Sequence, residues 1–186
     1  MKINPRRGTA AFTLIELMAV ITIIVILAGL VIGGMGFVTD RQAKEKAKVQ
    51  IALLSKALED YKLDNGIYPP TEDSEAGTDN SKVLYNALFY VGASDAAKEK
   101  KIYIGELDSV SNKQGWTSGT SSATTKITDP WGYEYRYRTA VNSSGTANTS
   151  NQNPDFDLWS VSKDGKSDTS NPATTQPKNR DDIRNF

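Results

Sequence analysis

From Leu17 to Val38 the chain is apolar, with Thr22 as its only polar side chain. About 22 residues at 1.5 Å each cross the roughly 30 Å hydrocarbon core of a bilayer, so this stretch is long enough to be a transmembrane helix. After Val38 the pattern changes. Ala47, Ile51, Leu54, Leu58 and Tyr61 recur every three or four residues, the spacing of a helix with one buried stripe. Lys44, Lys48, Ser55 and Lys62 face away from that stripe, and Asn65-Gly66 is a stop signal. No proline separates the two stretches, which predicts one continuous helix from about Phe12 to Asp64, roughly 75 to 80 Å long. Gly33, Gly34 and Gly36 interrupt it at a cost of about 0.8–1 kcal/mol each and mark a place to bend or melt. Gly29 and Gly33 form a small-xxx-small pair that permits close helix packing in lipid.

Beyond Gly66 the periodicity shortens. Ile67 to Pro70 begins a loop, and Lys82 to Val91 reads as a short second helix. Three strands are predicted: Lys101 to Leu107, the weakest; Tyr133 to Thr139, with Tyr133, Tyr135 and Tyr137 alternating with Glu134, Arg136 and Arg138; and Phe156 to Val161. Thr117 to Thr125, Asn142 to Asn153 and Lys166 to Arg180 are rich in Ser, Thr, Asn and Gly and are expected as loops. The predicted class is α+β: a long N-terminal helix packed on a small antiparallel sheet with long loops. The segments are residues 1–11 as a leader, 12–38 as the apolar half-helix, 39–65 as the amphipathic half-helix and 66–186 as one small domain.

Composition removes several functions. The 186 residues carry 22 basic and 22 acidic side chains, no histidine and no cysteine, so there is no bulk basic footprint for nucleic acid. Disulfides, thiol chemistry, Cys or His nucleophiles and His or Cys zinc sites are all excluded. An anchored enzyme would need a carboxylate or Ser-Lys site, and no spacing argues for one. Without disulfides, an exported domain relies on packing, a metal ion or assembly.

Glu16 is a carboxylate at the start of the apolar run, and a charge within a membrane segment costs about 2.5–3.5 kcal/mol on insertion scales. It therefore asks for a partner. Lys2, Arg6 and Arg7 ahead of it favour a cytoplasmic start, although Arg41, Lys44, Lys46 and Lys48 outnumber Asp40 and Glu45 on the other flank. The small residues Gly8, Ala10 and Ala11 precede the apolar run, whereas an ordinary signal peptide is cut after it. Cleavage between Ala11 and Phe12 would leave a chain that begins Phe12-Thr13-Leu14-Ile15-Glu16 and keeps its helix.

This arrangement resembles the type IV filament superfamily, the prepilins and pseudopilins, with Ala11 where Gly is commoner. The resemblance implies a prepilin peptidase acting between Ala11 and Phe12, methylation of the Phe12 amine, and Glu16 of one subunit neutralising the Phe12 amine of the next in a homo-oligomeric helical filament. Tyr61 to Pro69, Asp129-Pro130-Trp131-Gly132 with Tyr135 and Tyr137 behind it, Asp155 to Gly165, and Asp181 to Phe186 resemble the major pseudopilin, the G subunit, of type II secretion. That implies a type IV pilin-like fold and a place in the inner membrane with a periplasmic domain. It also implies minor pseudopilins, an inner-membrane assembly platform and inner-membrane lipid as partners. A surface pilus subunit for adhesion, motility or DNA uptake is the alternative.

By its residues, Asp129-Pro130-Trp131-Gly132 is a turn leading into a strand, with Asp129 bonding nearby amides. Asp164, Asp181 and Asp182 flank a loop and are hard oxygen donors suited to Ca²⁺. The G-subunit resemblance implies a structural calcium site on Ser160, Asp164, Asp181 and Asp182, with the Leu158 backbone carbonyl, and Ser162 as a further carbonyl donor. The 166–180 loop is long for the family.

Overall fold

The structure, a computed structural model, describes residues 12–71, 80–89, 101–119, 124–168 and 179–186. The chain divides into two compact units, Met1–Asp40 and Arg41–Phe186. Helix α1 runs Leu14–Asn65 and is unbroken across Gly33 to Gly36.

In the first unit, α1 leaves its apolar side chains uncovered: Ile24 is 58% exposed and Leu27 56%. With this stretch α1 is long and apolar enough to cross a membrane. The polar exception is satisfied within the helix, the Thr22 hydroxyl donating to the Met18 carbonyl at 2.8 Å.

In the second unit the same helix has an inner face. Ala47, Ile51, Leu54 and Leu58 are buried as the periodicity predicts, and Tyr61 packs against the core from its edge. Gly66 ends α1 with φ +79 while its N–H returns to the Lys62 carbonyl at 2.7 Å. That left-handed residue is the reason glycine follows Asn65.

Helix α2 spans Asn80–Leu88 and lays Leu84, Tyr85 and Leu88 on the core. The expected strand 101–107 is absent. A 3₁₀ turn, Gly105–Leu107, stands there instead, and the Tyr103 and Ile104 amides both turn to the Leu88 carbonyl. Closing the C-terminus of α2 takes the donors that a strand would have needed.

Strands β1 (Thr117–Ser118) and β2 (Lys126–Ile127) form an antiparallel pair; β1 falls within the expected loop Thr117 to Thr125, and β2 follows it directly. β3 (Arg136–Thr139), β4 (Phe156–Ser160) and β5 (Ile183–Arg184) form an antiparallel sheet in the order β3-β4-β5. Its register pairs Tyr137 with Leu158 and Arg138 with Asp157.

Tyr137 and Leu158 join the core beside α1 residues Leu54 and Leu58. On the opposite face Arg138 stands over Trp159 at 5.4 Å, Trp159 meets the Phe186 ring edge-on at 6.3 Å, and Arg184 stands over Phe186 at 5.4 Å. That face is buried too, so every residue of β4 is buried. The edge of β3 is closed by side chains. Asn80 donates to the Tyr137 carbonyl at 2.7 Å, and the Thr139 amide donates to the Thr71 hydroxyl at 3.4 Å.

Candidate functional sites

Thr13 and Glu16 have the spacing of a helix N-cap and its third residue, and the structure makes the reciprocal bonds of a capping box. Glu16 Oε2 accepts the Thr13 amide at 2.9 Å and the Thr13 hydroxyl at 2.8 Å, while the Glu16 amide donates to Thr13 Oγ1 at 3.3 Å. The lone carboxylate of the apolar segment is therefore tied to the first turn of its own helix. Its Oε1 takes no hydrogen bond among the described residues and is open to a cation. Phe12 beside it is 81% exposed; Ala11 lies outside the described residues. Thr13 was the residue missed here, although Thr-x-x-Glu ahead of an apolar run is a signal legible in the sequence.

The second site lies where β4 ends and β5 begins. Asp182 Oδ2 accepts the Ser167 hydroxyl at 2.8 Å, and Ser167 in turn accepts the Trp159 indole N–H at 3.0 Å. The Asp182 side chain is fully enclosed, Arg184 Nη2 stands 4.0 Å from Oδ2, and Oδ1 has no hydrogen-bond partner. Burial pushes the Asp182 carboxyl up to about 6. In reaching that value the Ser167 hydroxyl and then Arg184 hold the rise back, and the charges of Asp181 and Asp164 add to it.

The other predicted residues lie on β4, in the turn after it and just before β5. Ser160 donates its hydroxyl to Asp129 Oδ2 at 2.5 Å and accepts the Ser162 amide at 3.0 Å. Ser162 donates to the Asp181 carbonyl at 2.6 Å. Asp164 Oδ1 caps its own turn by accepting the Lys166 amide at 2.9 Å. The Leu158 carbonyl accepts the Asn185 amide at 3.0 Å. Among the described residues no three acidic side chains close on one common point. The candidate donors of these residues are all carboxylate, hydroxyl or main-chain oxygens, the donor type that suits Ca²⁺.

Ser167 and Asp129 were not predicted as parts of this cluster, and Ser162, expected as a carbonyl donor, enters it through its hydroxyl. Ser167 and Asp182 are 15 positions apart, and Asp129 and Ser160 are 31 apart, distances at which local patterning is silent. Asp129 does make the predicted turn, its Oδ1 accepting the Trp131 amide at 3.0 Å and the Tyr133 amide at 2.9 Å. Burial raises its carboxyl above the ordinary range, and the Ser160 hydroxyl and the turn amides hold that rise back.

Residues 37–79 match the family described as type II secretion system (T2SS), protein G, and residues 6–32 match the prokaryotic N-terminal methylation motif. The chain is similar to type II secretion system core protein G of Klebsiella michiganensis, 43% identical over 67 residues, which is 36% of this chain and 47% of the relative. The protein of the same name from Aeromonas hydrophila gives the same identity and coverage. Both matches span about half the length of those relatives. The protein of that name from Pseudomonas aeruginosa is 32% identical over 161 residues, covering 87% of this chain and 88% of the relative.

Proposed function

This chain belongs to the type II secretion system protein G family, and from that premise we propose that it is a structural subunit of the secretion pseudopilus. In this reading a prepilin peptidase cuts between Ala11 and Phe12 and the new amine is methylated. The subunit sits in the inner membrane with its domain in the periplasm. It is then added, through α1, to a helical filament that works with minor pseudopilins and an inner-membrane platform to push folded cargo outward.

The observation that supports this most is the first unit itself. Its helix exposes apolar side chains all round, and Glu16, the one carboxylate of the apolar run, keeps an oxygen open near the exposed Phe12. Glu16 would neutralise the Phe12 amine of a neighbour there, since a lone charge in lipid is penalised where a pair is not.

The test is Glu16→Ala in cells. Membrane insertion is expected to persist while filament formation and secretion are lost. Normal filaments from the variant would overturn the role of Glu16. Intact secretion with loss of surface fibres in a deletion strain would move the chain to the surface-pilus reading.

Calcium is part of the same proposal. The orphaned, enclosed Asp182 Oδ1, pressed by Asp164 and Asp181, suits a cation. Ser160, Asp164, Asp181, Asp182 and the Leu158 carbonyl would hold it. The ion would offset the crowded negative charge and join the two sides of the 166–180 loop as a cross-link would. For the full chain in detergent, calcium at a hundredfold excess over Kd is expected to stabilise the domain by about 2.7 kcal/mol, an effect reversed by chelator.

A further inference from the structure

The Asp129 turn uses only half of the carboxylate that makes it. Oδ1 takes both turn amides, Trp131 at 3.0 Å and Tyr133 at 2.9 Å, a task an asparagine would do equally well. Oδ2 is spent elsewhere, on the hydroxyl of Ser160 at 2.5 Å. Asp129 and Ser160 are both enclosed, at 2% and 0% exposure, so this is a charge-assisted bond shielded from water.

The direction of that bond decides what Ser160 has to offer. A hydroxyl oxygen has one proton and two lone pairs. The proton goes to Asp129, one lone pair takes the Ser162 amide at 3.0 Å, and one lone pair remains for a further acidic partner. A carboxylate that orients a ligand and makes its donor atom more basic is a familiar outer-shell device at metal sites.

The same chain of bonds continues. Ser162 is fully buried and sits at φ +52, a left-handed conformation that a serine adopts only when its surroundings hold it there. It is held at both ends, by its amide on Ser160 and by its hydroxyl on the Asp181 carbonyl at 2.6 Å. Asp164 follows two residues later. A second arm of the Asp129 turn presses on the same loop. The Tyr133 ring lies over Gly165, where a Cβ would stand 2.5 Å from its Cζ.

We infer that Asp129 is a positioning residue for the calcium site, orienting the Ser160 oxygen and, through Ser162, the turn that carries Asp164 and the Asp181 carbonyl. The inference rests on the calcium reading above. The Asp129-Pro130-Trp131-Gly132 turn is then both an entry to the sheet and the outer support of the site.

The test uses the full chain in detergent, with calcium titration by calorimetry and melting in chelator. Asp129→Asn keeps an oxygen for the two turn amides but offers an N–H to Ser160, which reverses the bond and consumes the remaining lone pair. Melting in chelator is expected to stay near that of the parent, and calcium affinity to fall about 10- to 100-fold. In a Ser160→Ala background Asp129→Asn should cost no further affinity.

Parent-like calcium affinity in Asp129→Asn, or an equal loss with and without Ser160, would overturn the inference. If Asp129→Asn does not fold, Ser160→Ala alone decides: it should fold and bind calcium weakly, and parent-like binding would overturn the inference. A parent protein that binds no calcium would instead sink the calcium reading itself.

Discussion

Helix α1 serves two regions that treat apolar side chains in opposite ways. In the first unit Ile24 and Leu27 are more than half exposed, whereas in the second Leu54 and Leu58 are at 0%. The difference lies in what surrounds each stretch. The outer half has α2, β3 and β4 to pack against and needs only one apolar face. The inner half is apolar on every side and finds no cover among the described residues, as suits a helix that crosses a membrane. A continuous helix can therefore combine a self-sufficient domain with a segment that is complete only in company.

Three measurements would break or sharpen that comparison. The largest effect is expected from Leu58→Ala. Leu58 lies in the closed core, so truncation should cost the domain about 2–5 kcal/mol in denaturant unfolding while membrane insertion is unchanged. A comparable loss of insertion would mean that the two regions are not independent.

Thr13→Ala comes next. Losing the cap on Glu16 should cost about 1 kcal/mol at the start of α1, seen as faster amide exchange in the first turn with no shift of the domain's unfolding midpoint.

The smallest effect concerns acid pH and belongs to the domain alone. Burial raises the Asp157 carboxyl above its ordinary 3.8, while the Asn153 and Gln152 amides and the Arg138 charge hold the rise back. The folded protein therefore binds that proton more tightly than the unfolded chain. This group's contribution to stability rises as pH falls from its folded value toward 3.8. Asp157→Asn should flatten the dependence of melting temperature on pH in that window. An unchanged slope would assign the acid response to other carboxylates.

Legibility in the sequence followed range. The Ala47, Ile51, Leu54 and Leu58 stripe was visible because a helix repeats every 3.6 residues, and β3 and β4 were visible as runs rich in aromatic residues. β1, β2 and β5 are two residues each, too short to show a period, and they exist because distant partners pair with them. Ile102 and Ile104 imitated a strand, but Gly105 and the open carbonyl of Leu88 turned that segment into a cap. At the acid cluster the carboxylates were legible by residue type and chain position. Asp129 was read correctly as a turn residue and incompletely as a partner, because its second oxygen reaches across 31 positions.

By itself, the sequence determined the apolar span, the Thr13-to-Glu16 start of the helix, its glycine stop and the inward stripe of its outer half. Each of these follows from interactions within a few residues along the chain. Tertiary structure alone decided which β segments pair, that both faces of β4 are buried, and that Asp129, Ser160, Ser162 and Asp181 form one hydrogen-bonded line. Such contacts join residues far apart in sequence, and their energies appear only once the fold has closed the loops between them.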